Sequence, residues 1–548
     1  TLALFAAFEV YGPALNGPFL FDDRYLPFLS PDAPARPFLH WIGGGRSLLM
    51  LSFWANFRVG GTEAFGYHAV NVLLHFFNAI FVWLIVRKLL EGVEAARATI
   101  LAVFAGLLFL LHPVQTESVA YVASRSEALS VFFAYAALTV FLYRTRVEAT
   151  FQVAAAVLLL FGAAVLTKEH TAVLPGVLLL ADYFFNPREG AFSFDGIRKN
   201  WRLYAPLSVG AIAGFAWVIR TTAGADTAGF GMKDLPWTDY LWTQGRVLWV
   251  YLRLFLLPVG LNADYDLPFS RSPLEHGAIF GLAAFAGLLV AALVLRRKYP
   301  LAAFGFFTFA LLIAPTSSIV PIRDPIAERR LYLPFLGLAL VAVDLLRRIK
   351  IGAAPLAAAL AAALAICAVG TYQRAQVWGD PLVFWTDAAA KSPNKARPQF
   401  QLAYAHYEMG RCDVASDAYA RTAKLQPMSY ELALDWAIAL DCAGHPQEAI
   451  QKLDQAELLE RSAHPLAEKA RILFKLARNE EAFAALDRAE KIDPAFELTY
   501  LYRGGFYENL SSFAAAAAQY RKVLSLNPIN ATARSGLTRV EFALGRPR

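Results

Sequence analysis

The chain has 548 residues, 57% of them hydrophobic, 14% aromatic and only 17% charged, with a formal charge of +7. Soluble domains run near 45–50% apolar and roughly 25% charged, so an ordinary soluble enzyme is excluded. The positive charge does not indicate nucleic acid, because many basic residues sit in short clusters between apolar runs. Arg87-Lys88, Arg144/Arg146, Arg296-Arg297-Lys298 and Arg347-Arg348-Lys350 have the placement of membrane topology anchors.

A bilayer core of about 30 Å needs about 20 apolar residues per helix. Such segments fall near 1–15, 68–88, 96–112, 117–143, 151–166, 170–186, 203–221, 273–295, 300–320, 329–346 and 352–372, about eleven spans. Thr1 already lies inside an apolar stretch, which leads us to expect residues upstream. The basic clusters, with Arg198, Lys199 and Arg202, mark the cytoplasmic side. Alternate counting then places 16–67, 112–117, 167–170, 221–272, 320–328 and everything beyond 373 outside. Residues 237–257 would break this count if they crossed. Gln244, Arg246 and Arg253 interrupt them, so an amphipathic or re-entrant helix on the outer face is expected.

Carboxylates beside a span are costly to desolvate, so Asp22-Asp23 in the first outer loop suggests chemistry. In a glycosyl transfer one of them would accept the proton of the attacking hydroxyl. A lipid-phosphate donor adds a need for cations that stabilise the departing phosphate. Helix capping or an ion pair with Arg24 is the structural alternative. Arg125, three turns into its span, needs an anion, which a ligand or Glu117 and Glu127 would supply. Lys168-Glu169-His170 lies at an outer junction, where a snorkelling lysine is the plain reading. Glu328-Arg329-Arg330 carries positive charge on the side where it is disfavoured, which suggests a phosphate or carboxylate partner. Asp264 and Asp266 orient an acceptor or coordinate a cation, unless they are solvated loop acids. His112 reads as a span terminator before Pro113, and His68 with His75 as packing residues. No Gly-rich phosphate loop, zinc spacing or nucleophile elbow is present, and no cofactor or metal is indicated.

From about 396 the chain turns to polar helices. Gly410, Ala415, Tyr419 and Pro427 recur in register as Gly444, Ala449 and Ala456, then Ala482, Ala489 and Pro494, then Gly504, Tyr507, Ala516, Tyr520 and Pro528. The prolines are spaced by multiples of about 34 residues, the tetratricopeptide period. Four repeats and a terminal helix containing Leu537 and Gly545 predict a solenoid whose concave face binds a protein partner. The expected fold is therefore all-α: a polytopic membrane domain (1–373), a connector (374–395) and a repeat domain (396–548). Of three cysteines, Cys412 and Cys442 lie in the repeats and are expected to be free buried thiols, pairing only in an oxidising compartment.

In the order Phe21-Asp22-Asp23, Arg46-Ser47-Leu48, Gly66-Tyr67-His68 and Asn71, His112-Pro113 through Glu117, Arg125, Lys168-Glu169, Leu261-Asn262 with Tyr265, Ala327-Glu328-Arg329 through Leu331-Tyr332-Leu333-Pro334, Trp378 and the repeats, the chain resembles a known group. This is the transmembrane and tetratricopeptide-repeat-containing O-mannosyltransferase family with its bacterial relatives, within the GT-C class. The resemblance implies a GT-C fold and a polyprenyl-phosphate hexose as donor. It also implies an acidic base in the first outer loop, Asp23 or Asp22, with Arg125, Lys168 and Arg329 facing the donor phosphate. Arg330 departs from the family pattern, where an aromatic residue is usual, and adds a cation beside the donor. Glu117, Glu169, Asp264, Tyr265, Glu328 and Tyr332 take acceptor or supporting roles. The expected protein is a bacterial inner-membrane transferase with periplasmic repeats, or an endoplasmic reticulum protein with luminal ones. A catalytically silent scaffold built on the repeats is the competing expectation.

Overall fold

The structure, a computed structural model, describes residues 1–185, 192–222 and 227–545. It divides into two compact units, Thr1–Lys391 and Ser392–Arg548. Both are all-α; a single isolated bridge, Ala228 with Ile322, is the only extended pairing among the described residues.

The first unit contains α1 (Leu2–Tyr11), α2 (Ser47–Gly60), α3 (Ala64–Leu89), α4 (Ala95–Leu111), α5 (Arg125–Leu142), α6 (Phe151–Thr167), α7 (Leu174–Phe184) and α8 (Trp201–Thr222). It continues with α9 (Trp237–Leu256), α10 (Ala278–Leu295), α11 (Pro300–Ile313), α12 (Phe335–Leu346), α13 (Ala353–Trp378) and α14 (Pro381–Lys391). Among the described residues, five helices are long and apolar enough to cross a bilayer. A sixth candidate is the broken pair Ala95–Leu111 and Pro113–Ala120, bent by 46°. The other apolar windows become shorter helices, such as α6, α11 and α12, continued by turns rather than by helix.

Pro113 explains the break. A residue before proline avoids the helical region, and His112 is extended at φ −77, ψ 128. Residues 113–124 then form three short helical turns, almost wholly buried, before α5 begins. The expected span at 117–143 therefore starts later, near Val122.

Small residues set the tightest crossing. A Cβ on Gly337 would lie 2.5 Å from the Gly305 carbonyl oxygen, so α11 and α12 pack backbone to backbone. Helix α9, expected to be amphipathic, buries Tyr240, Gln244, Val247, Tyr251 and Leu254 on one face. It is absent from the helices with the length and hydropathy of a span. Residues 381–391, expected within a connector, form α14, whose Phe384 and Trp385 pack into the first unit against Phe21 and Trp378.

The second unit is a run of helix pairs: α15 (Ala396–Glu408) with α16 (Cys412–Leu425), α17 (Tyr430–Cys442) with α18 (Pro446–Leu459), α19 (Ala463–Lys475) with α20 (Asn479–Ile492), and α21 (Glu497–Asn509) with α22 (Phe513–Leu526). A terminal α23 (Ala531–Ala543) closes it. The small residues of the repeat register, Ala415, Ala449, Ala456, Ala482, Ala489 and Ala516, are all buried. Tyr520 shows why they must be small: a Cβ on Gly536 would approach its ring to 2.5 Å, and one on Gly504 to 2.9 Å. The expectation of free thiols is overturned, since Cys412 and Cys442 form a disulfide with Cα atoms 5.7 Å apart. The bond joins α16 to α17, where repeat packing brings the two positions within disulfide reach. Cys367 remains free.

Candidate functional site

Phe21 has φ +47, a backbone region costing of order 1–3 kcal/mol for such a residue. Aromatic contacts to Tyr121, Phe384 and Trp385, with centroids 5.0–5.8 Å away, hold it there. Just after this bend the two aspartates separate. Asp23 is buried and accepts N–H bonds from Leu20 (3.2 Å), Val122 (3.3 Å) and Ala123 (2.6 Å). It fastens the loop to the turn that precedes α5. Burial pushes its carboxyl up to about 7, against the pull of those three donors. Asp22 is exposed, and its backbone N–H donates to the Tyr121 hydroxyl at 3.0 Å.

Arg46, within electrostatic reach of Asp22, belongs to a ring of paired charges. Arg46 makes a two-point bond to Glu169, Nη2 to Oε1 at 2.7 Å and Nε to Oε2 at 3.2 Å. Burial would raise the Glu169 carboxyl, but the Arg46 guanidinium holds it down at about 2. Lys168 donates to Glu127, whose other oxygen is 3.3 Å from His170 Nε2. Arg329 donates to Glu117 through Nη1 and, at 3.0 Å, through its backbone N–H. The Arg329 guanidinium also stands 5.8 Å from the Tyr121 ring centre. Segments from four loops, all assigned to one side by charge pattern, thus meet here.

Glu169 and His170 also stand at the edge of an apolar groove of about 440 Å³, walled by Val173, Ile212, Phe215, Val218 and Ile322. Several wall residues lie on α8, most of which is exposed. The site therefore joins a carboxylate, three anchored cations and a hydrophobic trough.

The structure redirects several expected residues. Arg125 does not face this space. It is fully buried and donates to Asn71 (3.0 Å), Asn56 (2.9 Å) and the carbonyls of Tyr67 (2.9 Å) and Ser52 (3.3 Å), beneath the Phe53 ring. Neutral oxygens answer its charge, so it ties α2, α3 and α5 together. Arg330 likewise turns inward, donating to the carbonyls of Asp324 (2.6 Å) and Pro325 (2.9 Å) and to the Tyr240 hydroxyl (3.3 Å). Tyr332 is fully buried, its hydroxyl bonded to His75 (2.9 Å) and to Asn78 (3.0 Å), so it serves packing. Glu328 clamps the 261–266 turn by accepting from Asn262 N–H (2.5 Å) and the Tyr265 hydroxyl (2.7 Å), and burial raises its pKa. Asp264 is buried in that turn rather than solvated. His112 is a terminator with both ring nitrogens engaged, by Phe255 O (3.0 Å) and Val114 N–H (3.3 Å).

Of the residues singled out in the sequence, Asp22, Lys168, Arg329, Glu117 and Glu169 fall in one connected set of charges with Arg46 and Glu127. Arg46 and Tyr121 complete the ring without having been singled out, and Glu127, considered as an anion for Arg125, pairs with Lys168 instead. Arg46 lay in a quoted motif stretch, whereas Tyr121 sat inside an apolar segment with nothing to distinguish it.

A family model for the tetratricopeptide repeat matches residues 463–496, which contain α19 and α20. Protein O-mannosyl-transferase F38B6.6 of Caenorhabditis elegans is 25% identical over 70% of this chain and 54% of its own. Protein O-mannosyl-transferase Tmtc1 of Drosophila melanogaster is 36% identical over 23% of this chain and 16% of its own. The chain thus spans about half the first relative and a smaller part of the second. Among solved structures, MamA is 19% identical over 27% of this chain and 86% of its own, with a TM-score of 0.24. The likeness to transmembrane and tetratricopeptide-repeat-containing O-mannosyltransferases, carried first by the motifs, is borne out by the relatives' names and by the matched repeat.

Proposed function

We propose that the chain is a membrane O-mannosyltransferase that moves a hexose from a polyprenyl-phosphate donor to a hydroxyl of a protein substrate. One observation carries this reading: the exposed Asp22 lies within electrostatic reach of Arg46, whose partner Glu169 stands at the edge of an apolar groove. The isoprenoid lies in the groove and its phosphate reaches Arg46, Lys168 and Arg329. Arg46 is 44% exposed and Arg329 30%, so both present donors beyond those held by their glutamates. As the acceptor oxygen attacks the anomeric carbon, its proton passes to Asp22. The bond from that carbon to the phosphate oxygen breaks, the carrier phosphate leaves against the cations, and the anomeric configuration inverts.

The glutamates position these cations and lower the cost of keeping them beside a membrane. Asp23 acts on the backbone and not on substrate. The repeats recruit the acceptor on their concave face. The Cys412–Cys442 bond supports an oxidising compartment for them, periplasmic or luminal.

The pairing of each of the three cations with a glutamate also suits a silent scaffold, which is the second reading. Reconstituted protein supplied with polyprenyl-phosphate mannose and an acceptor separates the two. Asp22→Asn should slow transfer by a factor of about 10²–10⁴ with unchanged melting. Wild-type transfer by that variant would remove Asp22 as base, and absence of transfer by the wild type would favour the scaffold.

A further inference from the structure

Three helix ends meet where α10 stops at Leu295, α11 starts at Pro300 and α12 stops at Leu346. For α12 this is the end away from Arg329 and the candidate site. Between these helices runs a second apolar groove, about 410 Å³, lined by Leu288, Leu295, Phe306, Val341 and Leu345 with Tyr299 at its rim. Its walls are open: Leu288 is 38% exposed and Leu345 52%.

The rim is cationic. Arg296, Arg297 and Lys298 follow the end of α10 and Arg347, Arg348 and Lys350 follow the end of α12, and one buried carboxylate, Asp344, answers two of them. Asp344 also accepts the Ala302 N–H at 2.8 Å, so it is fixed to the start of α11. Arg348 is held on three sides: by Asp344 (3.2 Å), by the Lys298 carbonyl (2.7 Å) and by the Tyr299 ring, 4.4 Å away. Lys298 Nζ stands 5.4 Å from the centre of that same ring. Arg297, Lys298 and Lys350 have no carboxylate partner among the described residues. A topology anchor needs only exposed charge. Here arginine and tyrosine side chains are locked in place at the edge of an open apolar cleft.

We propose that this groove holds one anionic glycerophospholipid of the surrounding bilayer. Its phosphate sits among Arg297, Lys298 and Arg348, and an acyl chain lies along Leu295, Phe306 and Leu345. A free phosphate would gain nothing from the apolar walls, and a zwitterionic lipid would leave the cation excess unanswered.

Native mass spectrometry of the full chain, purified in detergent and stripped of lipid, tests this with phosphatidylglycerol, phosphatidylcholine or inorganic phosphate as the probe. One phosphatidylglycerol should be retained in preference to phosphatidylcholine, and inorganic phosphate should not displace it. Arg297→Ser with Lys298→Ser should weaken retention by roughly twenty-five-fold, about fivefold per cation removed. Ala291→Trp, which fills the groove from an exposed position and keeps every charge, should abolish stoichiometric retention. Equal retention of both lipids, displacement by phosphate, or wild-type retention by the Ala291→Trp protein would each overturn the proposal.

Discussion

Adjacent aspartates with opposite surroundings divide two kinds of work. Asp23 spends its carboxylate on three backbone N–H groups, whereas Asp22 keeps its own beside Arg46 and Tyr121. Asp23→Asn should therefore destabilise the fold by about 1–3 kcal/mol, since an amide presents only one acceptor oxygen. Thermal unfolding would show the loss, while transfer per folded molecule should fall less than in Asp22→Asn. A pH dependence follows. Asp23 titrates near 7 when folded and at its ordinary acidic value when unfolded, so between those values the folded state binds more protons. Its contribution is fully present at acid pH and is lost as pH rises through about 7. A melting profile across that window should be shallower for Asp23→Asn than for wild type. The pair was visible in the sequence, but which member faces solvent depends on the left-handed Phe21, and no side-chain pattern encodes that bend.

At the level of elements, the residues that misled were arginines. A buried cation in a span argues for an anion, yet Arg125 and Arg330 are answered by carbonyl and amide oxygens from several segments. Backbone dipoles leave no trace in residue identity, which is why sequence reasoning assigned both to the donor. Lys168 and Arg329 were legible because each lies beside a break in the apolar pattern, where charge has a reason to be exposed. The packing devices make firmer predictions. Gly337→Ala places a methyl 2.5 Å from the Gly305 carbonyl and should cost about 1–3 kcal/mol through separation of α11 and α12, measurable as a lowered melting temperature. Gly162→Ala, where an added Cβ meets nothing within 4 Å, is the matched control and should not lower melting, since alanine favours the helix by about 0.5–1 kcal/mol.

For the molecule as a whole, the two units were legible for different reasons. The repeats announce themselves because every pair solves the same packing problem with the same small residues. The membrane unit was legible as a class, while its span lengths were not, because hydropathy does not register where Pro113 or a short turn interrupts a helix. Sequence also misjudged the cysteines, since thirty residues of separation say nothing of the 5.7 Å that repeat stacking imposes. Replacing both with serine should lower the stability of the repeat unit by about 3–4 kcal/mol, the value expected for a loop of that size, read from chemical denaturation.

That crosslink has a practical corollary. A protease nick anywhere between Cys412 and Cys442 would leave the severed halves covalently joined. The cut protein would migrate as one band on a denaturing gel and part into two only when reductant is added.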